Sequence, residues 1–409
     1  MNYVILIGIA LFFILTAVRD GAMGWDFGDG HMDFRVSDGN YTLRVRGDGN
    51  VDLAPDGSGV LALSRNGSLD VLMTRNGTNR RIVFTSTDGT IERQFFLEGE
   101  EQTWGPEADR FVAEVMPILL RETGINAQER VAWLIENRGQ SGLLDEIELI
   151  NSDFAQRVYS VEYAKTATIA PEDFDRLMLL AKNNLSSDFE LRLTLNEVYN
   201  EQMPTGEQFV SLLAAGTNLN SDFEARLVLT HVVARMPNTP EAMTAYLAVM
   251  ATIDSDFEMR LALSPIVNRE ELADDLVARG IEIAGRDVDS DFELRLVLGA
   301  AAPRVGTSDA LARAYTSAAT SIGSDFEHRL ALTALADNAE LTPEGWRRLI
   351  ESAAGIGSDF ECAILLQSVA PRLPRDDAVI AAYRATMNTI ESGFEQQRAA
   401  GALLAAGLL

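Results

Sequence analysis

The 409 residues are 47% hydrophobic and 23% charged, an ordinary balance for folded protein and a length that accommodates two or three domains, so disorder is not the default. A formal charge of −27 repels phosphate backbones and anionic headgroups, which excludes nucleic acid as the natural partner and favours basic ones. Cys362 is the sole cysteine, so neither an intrachain disulfide nor a cysteine-built metal site is available.

Residues 4–18 form an uncharged apolar run, and residues 1–18 together reach about the minimum for crossing a bilayer. An uncleaved anchor fits better than a cleaved signal peptide, because no Lys or Arg precedes Arg19 and no good small-x-small cleavage site follows Leu15. A terminal apolar segment ahead of a large domain is the usual export layout and sets the body outside the cytoplasm. Arg19 argues for the opposite orientation, and secretion after cleavage is a third reading. Residues 19–31, rich in glycine and aspartate, read as a tether.

Over residues 32–100 the period is two. Phe34/Val36, Tyr41/Leu43/Val45, Leu69/Val71/Met73 and Ile82/Phe84 alternate with polar residues, and Asp-Gly or Asn-Gly pairs at 38, 48, 56, 66, 76 and 88 break the runs. Such pairs between alternating runs predict hairpins. The segment is expected to be an antiparallel β-meander of six or seven strands with one face on helices. Asp48-x-Asn50-x-Asp52 opens like a calcium loop, but Leu53 and Gly59 stand where its glycine and bidentate glutamate belong, so it reads as a turn.

From Pro106 the period is helical, with Phe111, Val115, Ile118 and Leu119 on one stripe. Asn126-x-x-Glu129 then reads as a cap for a helix through Val131, Trp133, Leu134 and Ile135, and Leu143 to Ile150 completes a shorter hairpin. Residues 101–150 are expected to cap the helical stack that follows.

Residues 151–409 repeat. Phe154, Phe189, Phe223, Phe257, Phe292, Phe326, Phe360 and Phe394 recur at intervals of 34 or 35 residues, each in a Ser-Asp-Phe-Glu tetrad or a near copy. That period marks a stacked architecture. Ser-x-x-Glu ahead of an apolar run is a capping box, in which the serine hydroxyl accepts from the third helical N–H and the glutamate reaches back to the serine N–H. Six copies carry both partners: Ser187/Glu190, Ser221/Glu224, Ser255/Glu258, Ser290/Glu293, Ser324/Glu327 and Ser358/Glu361. The aspartate faces the helix dipole and is expected to pair with an arginine four residues on, as in Asp222/Arg226 or Asp291/Arg295. The phenylalanine is expected in the core with the leucines at serine plus six and plus eight and the aliphatic residue two before the serine. Second helices open with their own caps, as at Thr239-Pro240 and Thr342-Pro343. Ala155, Ala363 and Gly393 depart from the pattern near the ends, as terminal solenoid repeats do. The fold class read from these periods is α+β: an antiparallel β-meander, then an α-solenoid of about eight 34-residue helix hairpins. The apolar stretch Ala399 to Leu409 is expected to cover its last groove.

No residue constellation reads as an active site. His31, His231 and His328 are scattered and no His-Glu-x-x-His pattern exists; a phosphate loop, a Gly-x-Ser-x-Gly elbow and a Cys/His pair are also lacking. Glu270, Glu271, Asp274 and Asp275 alternate faces on a helix and read as solvated surface. No cofactor is implied.

The phrase aliphatic-x-Ser-Asp-Phe-Glu-x-Arg behind a small β-meander, over residues 40–409, resembles a loose group of bacterial membrane-attached proteins with degenerate Ser-Asp-Phe/Tyr-Glu repeats. Some look like regions appended to β-lactam-sensing membrane metallopeptidases. The resemblance implies architecture only, since the peptidase zinc motif is absent. The repeat length equals that of tetratricopeptide repeats, but their residue pattern is not followed. The expected function is a membrane-anchored, non-enzymatic scaffold that binds a protein or peptide. The alternative is an envelope regulator in which the β-domain senses a ligand and the solenoid relays it.

Overall fold

The computed structural model describes residues 30–37 and 39–408, so the apolar run 4–18 and nearly all of the tether lie outside the described residues. An N-terminal antiparallel sheet is followed, among the described residues, by seventeen α-helices in a repeat-like array. Contacts divide the chain into a unit ending at Met203 and a unit beginning at Pro204.

In the first unit the strands are β1 (His31–Ser37), β2 (Tyr41–Asp48), β3 (Val51–Leu53), β4 (Val60–Leu63), β5 (Ser68–Arg75), β6 (Thr78–Ser86), β7 (Ile91–Leu97) and β8 (Glu100–Gln102). The main sheet runs β1-β2-β5-β6-β7-β8, antiparallel throughout. Alternation sets its faces. Leu43, Val45, Leu69, Val71, Met73, Ile82 and Phe84 share one side and bury against Phe111, Val115 and Leu119 of α1 (Pro106–Thr123). Asn76 and Gly77 take φ of 52° and 79°, the two positive values that let a two-residue turn match the twist of its strands. Glu98 and Gly99, at 50° and 87°, do the same before β8, a strand of Glu-Glu-Gln with no apolar period to reveal it.

The meander is interrupted. β3 and β4 leave the main sheet and pair with each other, with a register shift at Asp52/Leu53. Helix α2 (Ala127–Glu148) holds this hairpin. Asn126 takes φ 52° and makes no cap bond; its Oδ1 instead accepts the Leu53 N–H at 3.1 Å. Asn126 therefore does not act as the cap its Asn-x-x-Glu spacing suggests, because its side chain ties sheet to helix. The break expected between Ile135 and Leu143 is a kink inside α2, where Gly139 has φ 71° and ψ 176°.

A charge cluster is buried where α1 meets α2. Glu146, 4% exposed, pairs with Arg130, 2% exposed, at 3.1 Å and with Arg121 at 3.3 Å. Arg130 also donates to the Pro55 carbonyl of the β3–β4 loop. The rest of the unit is α3 (Asp153–Thr166), α4 (Pro171–Asn184) and α5 (Asp188–Gln202).

The second unit contains α6 (Glu207–Gly216), α7 (Asp222–Val232), α8 (Pro240–Met250), α9 (Asp256–Val267), α10 (Asp274–Asp287) and α11 (Asp291–Val305). It continues with α12 (Asp309–Ala319), α13 (Asp325–Asn338), α14 (Pro343–Ala353), α15 (Asp359–Val369), α16 (Asp377–Met387) and α17 (Gly393–Ala405). Odd-numbered helices pack on one another in order, and so do even-numbered ones, giving two layers of helix hairpins. The core between the layers includes the residue two before each serine: Leu219, Ile253, Val288, Ile322, Ile356 and Ile390 are all buried. Tyrosines of alternate second helices enter the same core and donate to carbonyls of the next first helix: Tyr246 to Ala262, Tyr315 to Ala331 and Tyr383 to Ala399, at 2.8–3.0 Å. Leu212, Gly280 and Leu349, all buried, take the corresponding place in the hairpins between. In α17, Ala399 and Leu403 turn inward while Leu404 faces out. No helix among the described residues is long and apolar enough to cross a membrane.

Truncating Glu146 to alanine leaves the buried Arg130 guanidinium without its carboxylate, which costs about 3–5 kcal/mol. Urea unfolding of the Glu146→Ala chain followed by circular dichroism checks this, and an unchanged midpoint contradicts it.

Candidate interaction surface: the repeated first helices

Each tetrad serine stands immediately ahead of its helix in extended backbone, and its hydroxyl accepts from the N–H three residues on. The distances are 3.4 Å for Ser187, Ser221, Ser290, Ser324 and Ser358 and 3.5 Å for Ser255 and Ser392. The glutamates do not act as the capping-box partners expected of them. The serine N–H is taken by the aspartate one repeat earlier: Asp153 accepts from Ser187 at 2.7 Å, Asp222 from Ser255 at 2.8 Å, Asp256 from Ser290 at 2.8 Å and Asp291 from Ser324 at 2.8 Å. The other oxygen of Asp222, Asp256 or Asp291 accepts the N–H of the residue before that serine. One carboxylate thus bridges two consecutive donors ahead of the next helix.

The arginine four residues after the aspartate is likewise not its partner. Arg226 pairs with Glu258 of the following repeat at 2.7 Å; Arg260 pairs with Glu293, Arg295 with Glu327, Arg329 with Glu361 and, in the first unit, Arg157 with Glu190. Aspartate, arginine and glutamate are therefore connectors between repeats, where an i to i+4 reading kept them within one helix.

Glu224, expected as the capping-box partner of Ser221, is a buried residue, 8% exposed. The helix phase imposes this: serine plus three turns away from solvent in every copy, and the corresponding Glu258, Glu293, Glu327 and Glu361 side chains are only 14–16% exposed. The Glu224 backbone N–H donates to the Ser221 hydroxyl.

The phenylalanines are not core residues. Phe223, Phe257, Phe292, Phe326 and Phe360 are 49–51% exposed and Phe394 is 70% exposed. The inward positions of these helices begin at serine plus four, and two residues turn a side chain by about 200° around an α-helix. Phenylalanine at serine plus two accordingly faces outward. Its ring carries the guanidinium of the arginine three residues on: Arg226 lies 4.8 Å from the Phe223 centroid, Arg260 5.1 Å from Phe257, Arg295 4.9 Å from Phe292 and Arg329 5.1 Å from Phe326. Those arginine side chains are only 14–22% exposed, so each ring shields an ion pair from water on one side and faces solvent with the remainder. The leucines at serine plus six, such as Leu227 and Leu261, are half-buried beside the rings, and those at plus eight are buried.

The irregular repeats mend the same network. Ahead of Ser152 no earlier tetrad supplies an aspartate, and Glu122 of α1 accepts from the Asn151 N–H at 3.2 Å and from its Nδ2 at 3.0 Å. Burial holds the Glu122 carboxyl above the usual range against those bonds. Where Ala363 removes the arginine, Glu395 takes Arg398 of its own helix at 2.6 Å, and that guanidinium lies 5.8 and 5.9 Å from the Phe360 and Phe394 rings. No sequence signal marks Glu122, which lies outside the repeat register. Arg398 stands one residue past the usual arginine position of its tetrad and is recognisable only once the ion-pair scheme is known.

The remaining candidates sit apart from this surface. Cys362 is buried, its thiol pushed up to about 11 by desolvation. His328 is buried with Nε2 3.0 Å from Ser352 Oγ, and burial lowers its pKa against the raising effect of Asp325. His31 lies at the sheet beside Asp48, and Asp52 accepts from Asn126. Glu270 and Glu271 fall in the loop before α10 and not on it, while Asp274 pairs with Arg304 at 3.0 Å. Among the described residues no group of three or more His, Cys, Asp or Glu is disposed to hold a metal ion.

No family model matches the chain, and no curated protein matches it. Among solved structures, a chain from "Computational Design of Self-Assembling Cyclic Protein Homooligomers" is similar at 17% identity, covering 73% of this chain and 94% of its own with a TM-score of 0.15, too low to carry an argument.

Removing one bridging carboxylate as Asp291→Ala orphans the Gly323 and Ser324 N–H groups and is expected to cost roughly 1–3 kcal/mol, read as a lower midpoint in urea. A shift no larger than that of an exposed surface substitution contradicts the bridge. Because the folded state depresses the His328 pKa, its contribution is complete above the ordinary histidine value and is lost as pH falls through that value towards the folded one. Tm measured from about pH 7.5 down to about pH 5 is expected to fall more steeply in the native chain than in His328→Leu. Parallel profiles contradict this.

Proposed function

We propose that the chain is a non-enzymatic scaffold whose helix hairpins bind a protein or peptide partner along the first helices of the second unit. The observation that carries this reading is the row of six exposed phenylalanines from Phe223 to Phe394, one per hairpin. An isolated exposed aromatic is ordinary, but rings recurring on neighbouring helices with half-buried leucines between them make an apolar strip of the kind that marks interaction sites. Stacked repeats supply such surfaces in extended form. The apolar run of residues 4–18 supports attachment of this scaffold to a membrane, with the body on the extracytoplasmic side. The resemblance to membrane-attached repeat proteins points the same way.

Affinity capture from membrane extract with the full chain tests the reading. The native chain is expected to recover a stoichiometric protein, and the triple variant Phe257→Ser, Phe292→Ser, Phe326→Ser to lose it while its circular dichroism remains helical. Equal recovery by both chains, or no stoichiometric protein with either, overturns it.

A further inference from the structure

We infer that the segment held along these first helices is an extended cationic polypeptide with basic side chains three residues apart over Phe257 and Phe292. The inference rests on the scaffold reading above and adds the chemistry and spacing of its partner.

The arginines of these first helices offer an acidic ligand no free cation. Arg226, Arg260, Arg295 and Arg329 are each already bound to a glutamate and stacked on a phenylalanine. Carboxylates remain. Asp254, Asp289 and Glu391 are exposed, each three residues before Phe257, Phe292 and Phe394, and among the described residues their side chains make no hydrogen bond or ion pair. A partly solvated aromatic ring and an unpaired carboxylate in the same repeat suit guanidinium or ammonium, and neighbouring hairpins carry both at Phe257 and Phe292, whereas Asn220, Gly323 and Gly357 hold the carboxylate's place before Phe223, Phe326 and Phe360. The whole chain's charge of −27 draws such a ligand in.

Spacing sets the period. Neighbouring packed helices lie about 8–10 Å apart. A polyproline II segment advances about 3.1 Å per residue with three residues per turn, so every third side chain projects from the same side at roughly 9 Å. A β-strand fails this match, because its side chains alternate and residues three apart face opposite ways. The conformation that keeps one basic residue over each of these two hairpins is therefore polyproline II.

The test uses the purified full chain and fluorophore-labelled peptides, followed by anisotropy. A peptide of repeated Arg-Pro-Pro is expected to bind about tenfold more tightly than one with the same number of arginines placed at every fourth position. A repeated Glu-Pro-Pro peptide is expected not to bind, and added salt to weaken the complex. Asp254→Asn with Asp289→Asn, which leaves the rings in place, is expected to reduce affinity severalfold, as is Phe257→Ser with Phe292→Ser. Equal binding of the two arginine spacings, or indifference to the aspartate pair, overturns the inference. Phenylalanine-dependent capture of a partner by a chain that ignores the cationic peptides overturns it while leaving the scaffold reading intact. Phenylalanine-dependent self-association in sedimentation equilibrium, or displacement of the peptide by one of residues 1–29, overturns it in favour of those occupants. Peptide binding that is unaffected by loss of the rings sinks both readings.

Discussion

A carboxylate that accepts two consecutive backbone N–H groups from the next repeat is the contact on which the helical array depends. Every helix start leaves donors without intrahelical partners. Here the serine hydroxyl satisfies one of them from within, and the preceding aspartate satisfies two more just ahead of the helix, so the start of each first helix is completed only when its neighbour is in place. Hydrogen bonds to a charged group are stronger than those between neutral groups. They are placed at the junction between repeats, where nearest-neighbour terms decide the stability of a stack.

The arginine–glutamate pairs make the same junction a second time, at a different cost. A pair this shaded gives up hydration on both sides and gains little unless its geometry is held. Stacking on phenylalanine holds it, which explains why an aromatic ring occupies an outward position in every copy. The ring is thus committed on one part of its surface and open on the rest. Structural and binding roles coexist in one residue, and the proposed partner would complete the enclosure of an arginine already half enclosed.

Much of this architecture is legible in the sequence. Serine caps, buried aliphatics before them and Asn-Gly turns act over a few residues, and local chemistry states itself in local sequence. What escaped were the links between repeats. A spacing of four between Asp291 and Arg295 has an ordinary meaning within one helix, and nothing in the chain says that both residues look outward to the neighbouring hairpin. Glu258, Glu293 and Glu327 fit a capping box by spacing and are drawn away from it to the arginine one repeat earlier, by a helix phase that spacing does not disclose. The phenylalanines misled for a related reason, since a large apolar side chain at fixed spacing reads as core until that phase is known. Glu122 lay beyond reach because it repeats nothing; it replaces an aspartate with a longer carboxylate from another helix. The β3–β4 excursion was hidden because its anchor, Arg130 on the Pro55 carbonyl, joins residues 75 apart.

The alternation along the second helices has a consequence for how such a chain can change length. Tyr246, Tyr315 and Tyr383 lock to the following helix through a hydroxyl, while Leu212, Gly280 and Leu349 at the same place in the hairpins between have no polar side-chain atom to offer. The tetrad recurs once per hairpin, but this part of the core recurs once per two. Excising one hairpin would set two tyrosines, or two residues without a hydroxyl, in succession at the seam, whereas excising two would restore the alternation. Growth or shortening of the array by genetic duplication is therefore easiest in paired steps.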